Sequence, residues 1–455
     1  MAGGVRVSLA FNDVTLEPSP TWVDITQTDT GEALASSFTI DRGRQFELDL
    51  TDVGRAVVQI NDRHGLLDPT NPSSPYSGLI EPLLQARLEL WNPVTSSWST
   101  LFRGYVAEMD YVFNPSAYDF GGVRVGVNQL TLALVDALFL LAQIEMQADG
   151  SFGDPVPLGA EGQVFFDNAN VDDRMFQVLG NAAWPTALQT IFSGNVSLRE
   201  SIYSPGGSVL DVLRQAADAE FPGLGNVYGS RLGKVTFHGR KSKFDPVTVA
   251  AGAGAAWPFT HWKCGDGKAV QASISDTAQI REFSFNRGIS RIINYAIATP
   301  EGILDKDIPG QVVQDGTSIG LRGFWTWSKE GLIVDAGTTT GNNANDECKL
   351  FAQYYVDNYA TPRNRITNIA FRSLRPDDPR AAANWALLAG AEISDLLDVT
   401  IDSPGGGGFA ADSHFLEGIH YDVKPLTPDY ADVTMRPDLS PQAYYTPDYY
   451  TGHFE

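Results

Sequence analysis

"VVQINDRHGLLDPTNPSSPYSGLIEPLLQARLELW" (residues 57–91) sets a dense run of turn formers ahead of an alternating segment, and the purpose of that run decides how the first third of the chain is read. Between Asn61 and Tyr76 stand one histidine, two aspartates, two asparagines and three prolines. A calcium loop would need acidic or amide side chains at alternate positions, and those positions hold Asn61, Arg63 and Gly65. His64 adjoins Gly65 and has no recognisable partner. Asn, Asp, Gly and Pro instead supply left-handed φ, Asx turns and fixed φ. Asn61, Gly65, Asp68, Pro69, Asn71, Pro75 and Tyr76 are therefore expected to build a structural turn.

Around this turn the pattern has period two. "ARLELW" (86–91), "FRGYVAEM" (102–109) and "QFELDL" (45–50) alternate apolar and polar residues; in the last, Phe46, Leu48 and Leu50 are expected on one face and Glu47 and Asp49 on the other. With Gly and Pro punctuating them closely, such strands predict a sandwich or barrel over residues 1–145. "LTLALVDALFLLAQI" (130–144) is shorter than the ~20 residues of a membrane span and carries Asp136 mid-run, which predicts a strand running into a short helix capped by Asp136. An α+β region follows over 146–250. There "VDDRMFQVLGNAAWPTALQTIF" (171–192) predicts two short helices broken before Pro185, and "GGSVLDVLRQAADAEF" (206–221) an amphipathic helix capped by Ser208. After the small-residue stretch 249–258, residues 251–435 read as a second β-rich unit with helices near 344–359 and 379–389. The chain is thus mainly β with an α+β insertion.

Composition narrows the function. A formal charge of −23 disfavours a nucleic-acid grip, which needs clustered Lys and Arg. Two cysteines, Cys264 and Cys348, offer neither a disulfide framework nor a CxxC motif and are expected to be reduced and buried. The N-terminus has no basic segment followed by an apolar run, so no signal peptide is read. "HFLEGIH" (414–420) spaces its histidines six apart in a strand-like context, not four apart on a helix, and reads as structural. "SPGGGGF" (403–409) lacks the lysine and following helix of a phosphate loop. No catalytic residue, metal ligand or cofactor site is expected, although carboxylates paired by folding into a glycosidase site leave no linear pattern.

The order of several segments carries more than any one motif. "TWVDIT" (21–26), "IDRGRQFEL" (40–48), the stretch 57–91 and "LFRGYVAEMDY" (101–111) resemble the N-terminal region of minor tail proteins of siphophages that infect actinobacteria. Asn61, Gly65, Asp68, Pro69, Asn71, Ser74, Pro75, Tyr76 and Gly78 match the family's turn, and the resemblance continues through "DDRMFQVLGNAAWP", "SVLDVLRQAADAEF" and "HFLEGIHYDVKP". It covers most of the chain and is weakest over 241–340. The resemblance implies a tail-tip, or baseplate hub, component with β-barrel domains similar to the tail-tube fold. It further implies a homotrimer whose two barrels per chain present six similar units to the tube, with the distal tail protein, the tape measure protein and further tip proteins as partners. DNA would pass through the channel without specific binding. The expected location is the virion tail tip, and the host cytoplasm during assembly.

Two other readings stand beside it: a hexameric distal tail adaptor, and a carbohydrate-binding or glycan-cleaving tip protein favoured by nine Trp and sixteen Tyr. The segment 436–455, with three prolines and four tyrosines, Tyr444, Tyr445, Tyr449 and Tyr450, is expected to be an extended arm packed on a neighbour.

Overall fold

Along Asp52–Asp62 the side chains of Ala56, Val58 and Ile60 are buried while Arg55, Val57 and Gln59 are exposed, the signature of a strand with one wet face. In the computed structural model of the chain this pattern repeats through one large sheet. The structure describes residues 4–27, 35–62, 65–113, 119–120, 123–124, 128–146, 164–194, 196–203, 206–221, 224–240, 243, 260–265, 277–289, 291–301, 311–335, 344–401, 409–427 and 429–442.

Numbered within the large sheet, its strands are β1 (Val5–Ala10), β2 (Val23–Asp24), β3 (Ala35–Gly43), β4 (Asp52–Asp62), β5 (Gln85–Asn92), β6 (Ser97–Val112), β7 (Asn128–Val135), β8 (His261–Gly265), β9 (Ala278–Asn286), β10 (Arg365–Arg372), β11 (Leu396–Ile401), β12 (Phe409–Thr427) and β13 (Tyr430–Pro441). They lie in the order β2-β1-β5-β6-β7-β4-β3-β12-β11-β8-β9-β10-β13. Because β13 also pairs with β12, the last six positions close into a six-stranded barrel. Closure removes the unpaired strand edges that an open sheet would expose. The strands before residue 136 continue the same sheet, joined where β3 pairs antiparallel with β12 from Phe38↔Val423 to Gly43↔Gly418. The inward-facing residues of both parts share one core, in which Phe38, Ile40, Phe102 and Leu132 meet Trp385, Leu397, Val423 and Met435.

Six helices are used below: α1 (Ala137–Gln143), α2 (Val171–Asn181), α3 (Val209–Asp218), α4 (Gly316–Arg322), α5 (Ala344–Tyr359) and α6 (Ala381–Gly390). The Asp136 carboxylate accepts the Leu138 N–H at 3.0 Å and starts α1 directly after β7. Ser208 caps α3 through the Asp211 N–H at 3.1 Å. The second core lies in the α+β insertion and draws α5 into it: Met175, Leu213 and Phe221 pack with Phe351 and Tyr354, the Phe221 and Phe351 rings 4.4 Å apart. α6 instead lies on the barrel side, with Trp385 buried and its Nε1 donating to the Leu374 carbonyl at 2.7 Å. The chain is mainly β with an α+β insertion, and it contains the closed β-barrel expected of the fold class.

One strand expectation fails. "QFELDL" is not a strand but a bend between β3 and β4. Glu47 is buried and Leu50 is 55% exposed, the reverse of the alternation. The cause is ionic. Glu47 accepts from Arg365 at 2.6 Å, Arg291 at 3.2 Å and the Tyr359 hydroxyl at 2.9 Å, partners 244 or more positions away that no local periodicity reveals.

Candidate functional site at the seam

Halfway along, β12 changes partner on one edge. Phe409–Phe415 pairs with β11, and Gly418–Val423 with β3, with a register shift between Leu416 and Gly418. The two parts of the sheet meet here. Gly43, at φ +93°, comes so close that a Cβ would sit 2.3 Å from the Glu417 carbonyl oxygen, so only glycine fits. The Arg44 N–H then donates to that carbonyl at 2.9 Å.

The Glu417 side chain fills the seam and is fully buried. One carboxylate oxygen accepts from Arg44 Nε at 2.8 Å and Nη2 at 2.6 Å; the other accepts from the Lys243 ammonium and from the Ser440 hydroxyl at 2.6 Å. Burial by itself would raise this carboxyl, but the Arg44 and Lys243 charges outweigh it and hold it at about 2. Burial also lowers Lys243, to about 8, against the pull of Glu417. One group thus ties three parts of the chain: β3 through Arg44, the insertion's exit through Lys243, and the β12–β13 hairpin through Ser440.

On the wet side of the same seam His420 donates to Asp41 at 3.1 Å and to Asp438 at 2.8 Å. Its hydrogen bonds to Asp41, then to Asp438, raise it to about 10, and the Asp41 carboxyl is lowered by the same contact. Asp41, Asp52, Arg55, Arg214, His420 and Asp438 line a cleft of about 590 Å³. Cross-strand rows continue this face over both parts of the sheet. One runs Glu108, Ala133, Val57, Thr39, Asp422, Thr434, and the next runs Arg55, Asp41, His420, Arg436. On it Glu108, Asp110, Asp41, Asp422, Asp432 and Asp438 stand beside Arg55, Arg436, Lys424, His420 and, opposite Thr434, Arg372.

The 61–78 turn is held by its own polar groups. The buried Asp62 accepts the Leu66 and Leu67 N–H groups, each at 2.8 Å, and the Tyr111 hydroxyl at 3.0 Å. Gly65 has φ +62°. Asp68 accepts from Thr70, the Asn71 amide donates to the Gly65 carbonyl at 2.8 Å, and Tyr76 stacks on Phe11 with centroids 4.4 Å apart. Pro69 and Pro75 are exposed, and Asn61 is half-buried at the end of β4. His64 and the arm tyrosines Tyr444, Tyr445, Tyr449 and Tyr450 lie outside the described residues. Residues 436–441 pair with β12 on one edge, while β10 reaches the other edge only at Thr434 and Met435. Pro437 and Pro441 thereby occupy a free edge that asks for no N–H.

Of the HFLEGIH residues, His414 and Glu417 are buried and His420 lies in the outer cleft. No group of three or more His, Cys, Asp and Glu among the described residues is placed to hold a metal ion. Cys264 and Cys348 are buried free thiols, both pushed up by burial, Cys348 to about 12. The seam chemistry is fixed pairing of charges. What sequence reasoning missed is Arg44–Glu417, whose members stand 373 positions apart; a glutamate between Leu416 and Ile419 was the available signal.

No known family model matches the chain, and no curated protein matches it in sequence. Among solved structures it is similar to the tail protein from Neisseria meningitidis MC58, with 11% identity over 98% of this chain and 99% of that one and a TM-score of 0.55. The 43 kDa tail protein of prophage MuSo2 from Shewanella oneidensis gives 9% identity over 97% and 99% at TM-score 0.48. Prophage tail protein gp18 from Listeria monocytogenes EGD-e gives 9% over 95% and 94% at 0.44. At such identities the likeness is one of fold, and the Neisseria protein shares it from end to end.

Proposed function

We propose that the chain is a structural component of a bacteriophage tail and, within it, the hub of the tail tip: a homotrimer that joins the tube to distal tip proteins around the DNA path. The observation that carries this reading is the end-to-end likeness of fold to the Neisseria tail protein. The single sheet that runs unbroken from one part of the chain to the other supports it, because a ring subunit needs one continuous face toward the axis. The net charge of −23 suits DNA that must pass without being held. The function asks for no chemistry, and the paired charges at the seam serve a rigid joint.

Copy number is the test. Quantitative mass measurement of purified tails is expected to give three chains per particle. Six would favour the distal adaptor, and absence from tails would end the tail reading. Turnover of peptidoglycan or polysaccharide, abolished by a single Asp or Glu substitution, would replace it with an enzyme.

A further inference from the structure

The tips of the β5–β6 and β12–β13 hairpins and the loop after β10 enclose an open groove of about 1020 Å³. Trp91, Pro93, Pro376, Leu426 and Tyr430 form its apolar walls, and Leu426 is 63% exposed. Its rim carries Asp377, Asp429 and Asp432 against one cation, Arg375. Among the described residues none of these four side chains has a hydrogen bond or ion pair, unlike the matched charges of the seam. Trp91 packs on Trp98 with ring centres 5.3 Å apart and planes tilted by 58°, and Trp98 already carries the Arg6 guanidinium 4.1 Å from its ring centre. Trp22 holds Arg87 and Arg103 in the same way, at 4.7 and 5.5 Å.

We propose that this groove docks a basic, arginine-bearing segment of a partner protein. The partner must be cationic because three carboxylates face one arginine, Lys424 opposite Asp432 being turned to Asp422, in a chain of net charge −23. It must be arginine more than lysine because a guanidinium stacks on an indole and forks onto a carboxylate at once, whereas an ammonium is compact and strongly hydrated. Pairing each indole with a guanidinium is what this molecule does internally at Trp22 and Trp98. A neutral oligosaccharide would use the aromatic walls but not the charge imbalance. The inference does not depend on the tail reading.

Titration calorimetry of the full chain at low salt, with acetylated hexa-arginine and hexa-lysine as probes, tests it. Hexa-arginine is expected to bind more tightly than hexa-lysine. Combined D377N, D429N and D432N, all at exposed positions, should weaken hexa-arginine about tenfold, the sum of three modest surface pairs. E108Q, D110N and D173N, with the same charge change elsewhere on the surface, should weaken both peptides slightly and equally. Trp91→Leu should bring hexa-arginine down to the level of hexa-lysine. Equal affinity for the two peptides, or equal losses in the two triple variants, would reduce the effect to diffuse surface charge and overturn the proposal. Binding of chitohexaose that the groove variant abolishes, without a peptide response, would assign the groove to saccharide instead.

Discussion

Gly65 holds the turn after β4 with φ +62°, and a Cβ there would meet the Asn71 amide nitrogen at 3.4 Å. A branched side chain must enter the left-handed region, and its γ-methyl groups crowd the Asn71 amide that donates to the Gly65 carbonyl. Gly65→Val is therefore expected to cost about 2 kcal/mol or more, read as a lower urea midpoint at unchanged slope; an unaltered midpoint would show that the turn tolerates another path. Asp136 makes a second prediction. Burial raises its carboxyl to about 7 although the backbone N–H groups it accepts, and Arg42, oppose the rise. A carboxyl raised on folding binds its proton more tightly in the folded state, so its stabilising contribution is full below about pH 4 and drains away as pH rises toward 7. Asp136→Asn keeps an acceptor for the Leu138 N–H but cannot titrate. Its stability should fall less between pH 5 and pH 8 than that of the parent, the remaining slope coming from Asp395, also raised to about 7 by burial, and above pH 6.5 from His420, raised to about 10 by its two aspartates. Identical pH profiles would show that Asp136 is already ionised at pH 5.

Many elements with local causes were legible, although the second helix expected after Pro185 is only a 3-10 turn, Thr186–Leu188, running into the strand Gln189–Ile191 that pairs with Val235–Phe237. The caps at Asp136 and Ser208 lie one residue from the helices they start, and α5 spans the residues 344–359 expected of it. The bend at 45–50 and the seam were not legible, because Glu47 and Glu417 take their environments from cations hundreds of positions away. β12 shows the consequence most clearly: one strand serves the barrel with its first half and β3 with its second, and the carboxylate at the changeover must be neutralised in place. Removing it leaves Arg44 and Lys243 buried without a counter-charge. Glu417→Gln is thus expected to destabilise by about 3–5 kcal/mol, while replacing Arg44, Lys243 and Glu417 together by methionine should recover most of that loss. Thermal unfolding distinguishes the cases, and a mild effect of Glu417→Gln alone would mean that the seam is held by its backbone pairing.

At the scale of the whole molecule, the tail reading needs surfaces for neighbours, and the C-terminal segment is the first candidate. From residue 443 onward it contains Tyr444, Tyr445, Tyr449 and Tyr450 with Pro447 among them, a composition that offers large amphipathic surfaces at low entropic cost but no strand or helix period. The boundary of a useful deletion follows from the seam. Ser440 donates to Glu417, and Pro441 closes the β12–β13 pairing, so a cut at 440 would damage the fold and confuse the result. A cut after Gln442 spares both. Deleting residues 443–455 is expected to leave the thermal unfolding midpoint of the isolated chain unchanged and to lower its incorporation into tails severalfold, because tyrosines buried at an interface carry a disproportionate share of binding energy. Incorporation at full yield, with tails that withstand dilution as well as the parent, would show that the arm binds no neighbour. A lowered midpoint in the isolated chain would place its contacts within its own subunit.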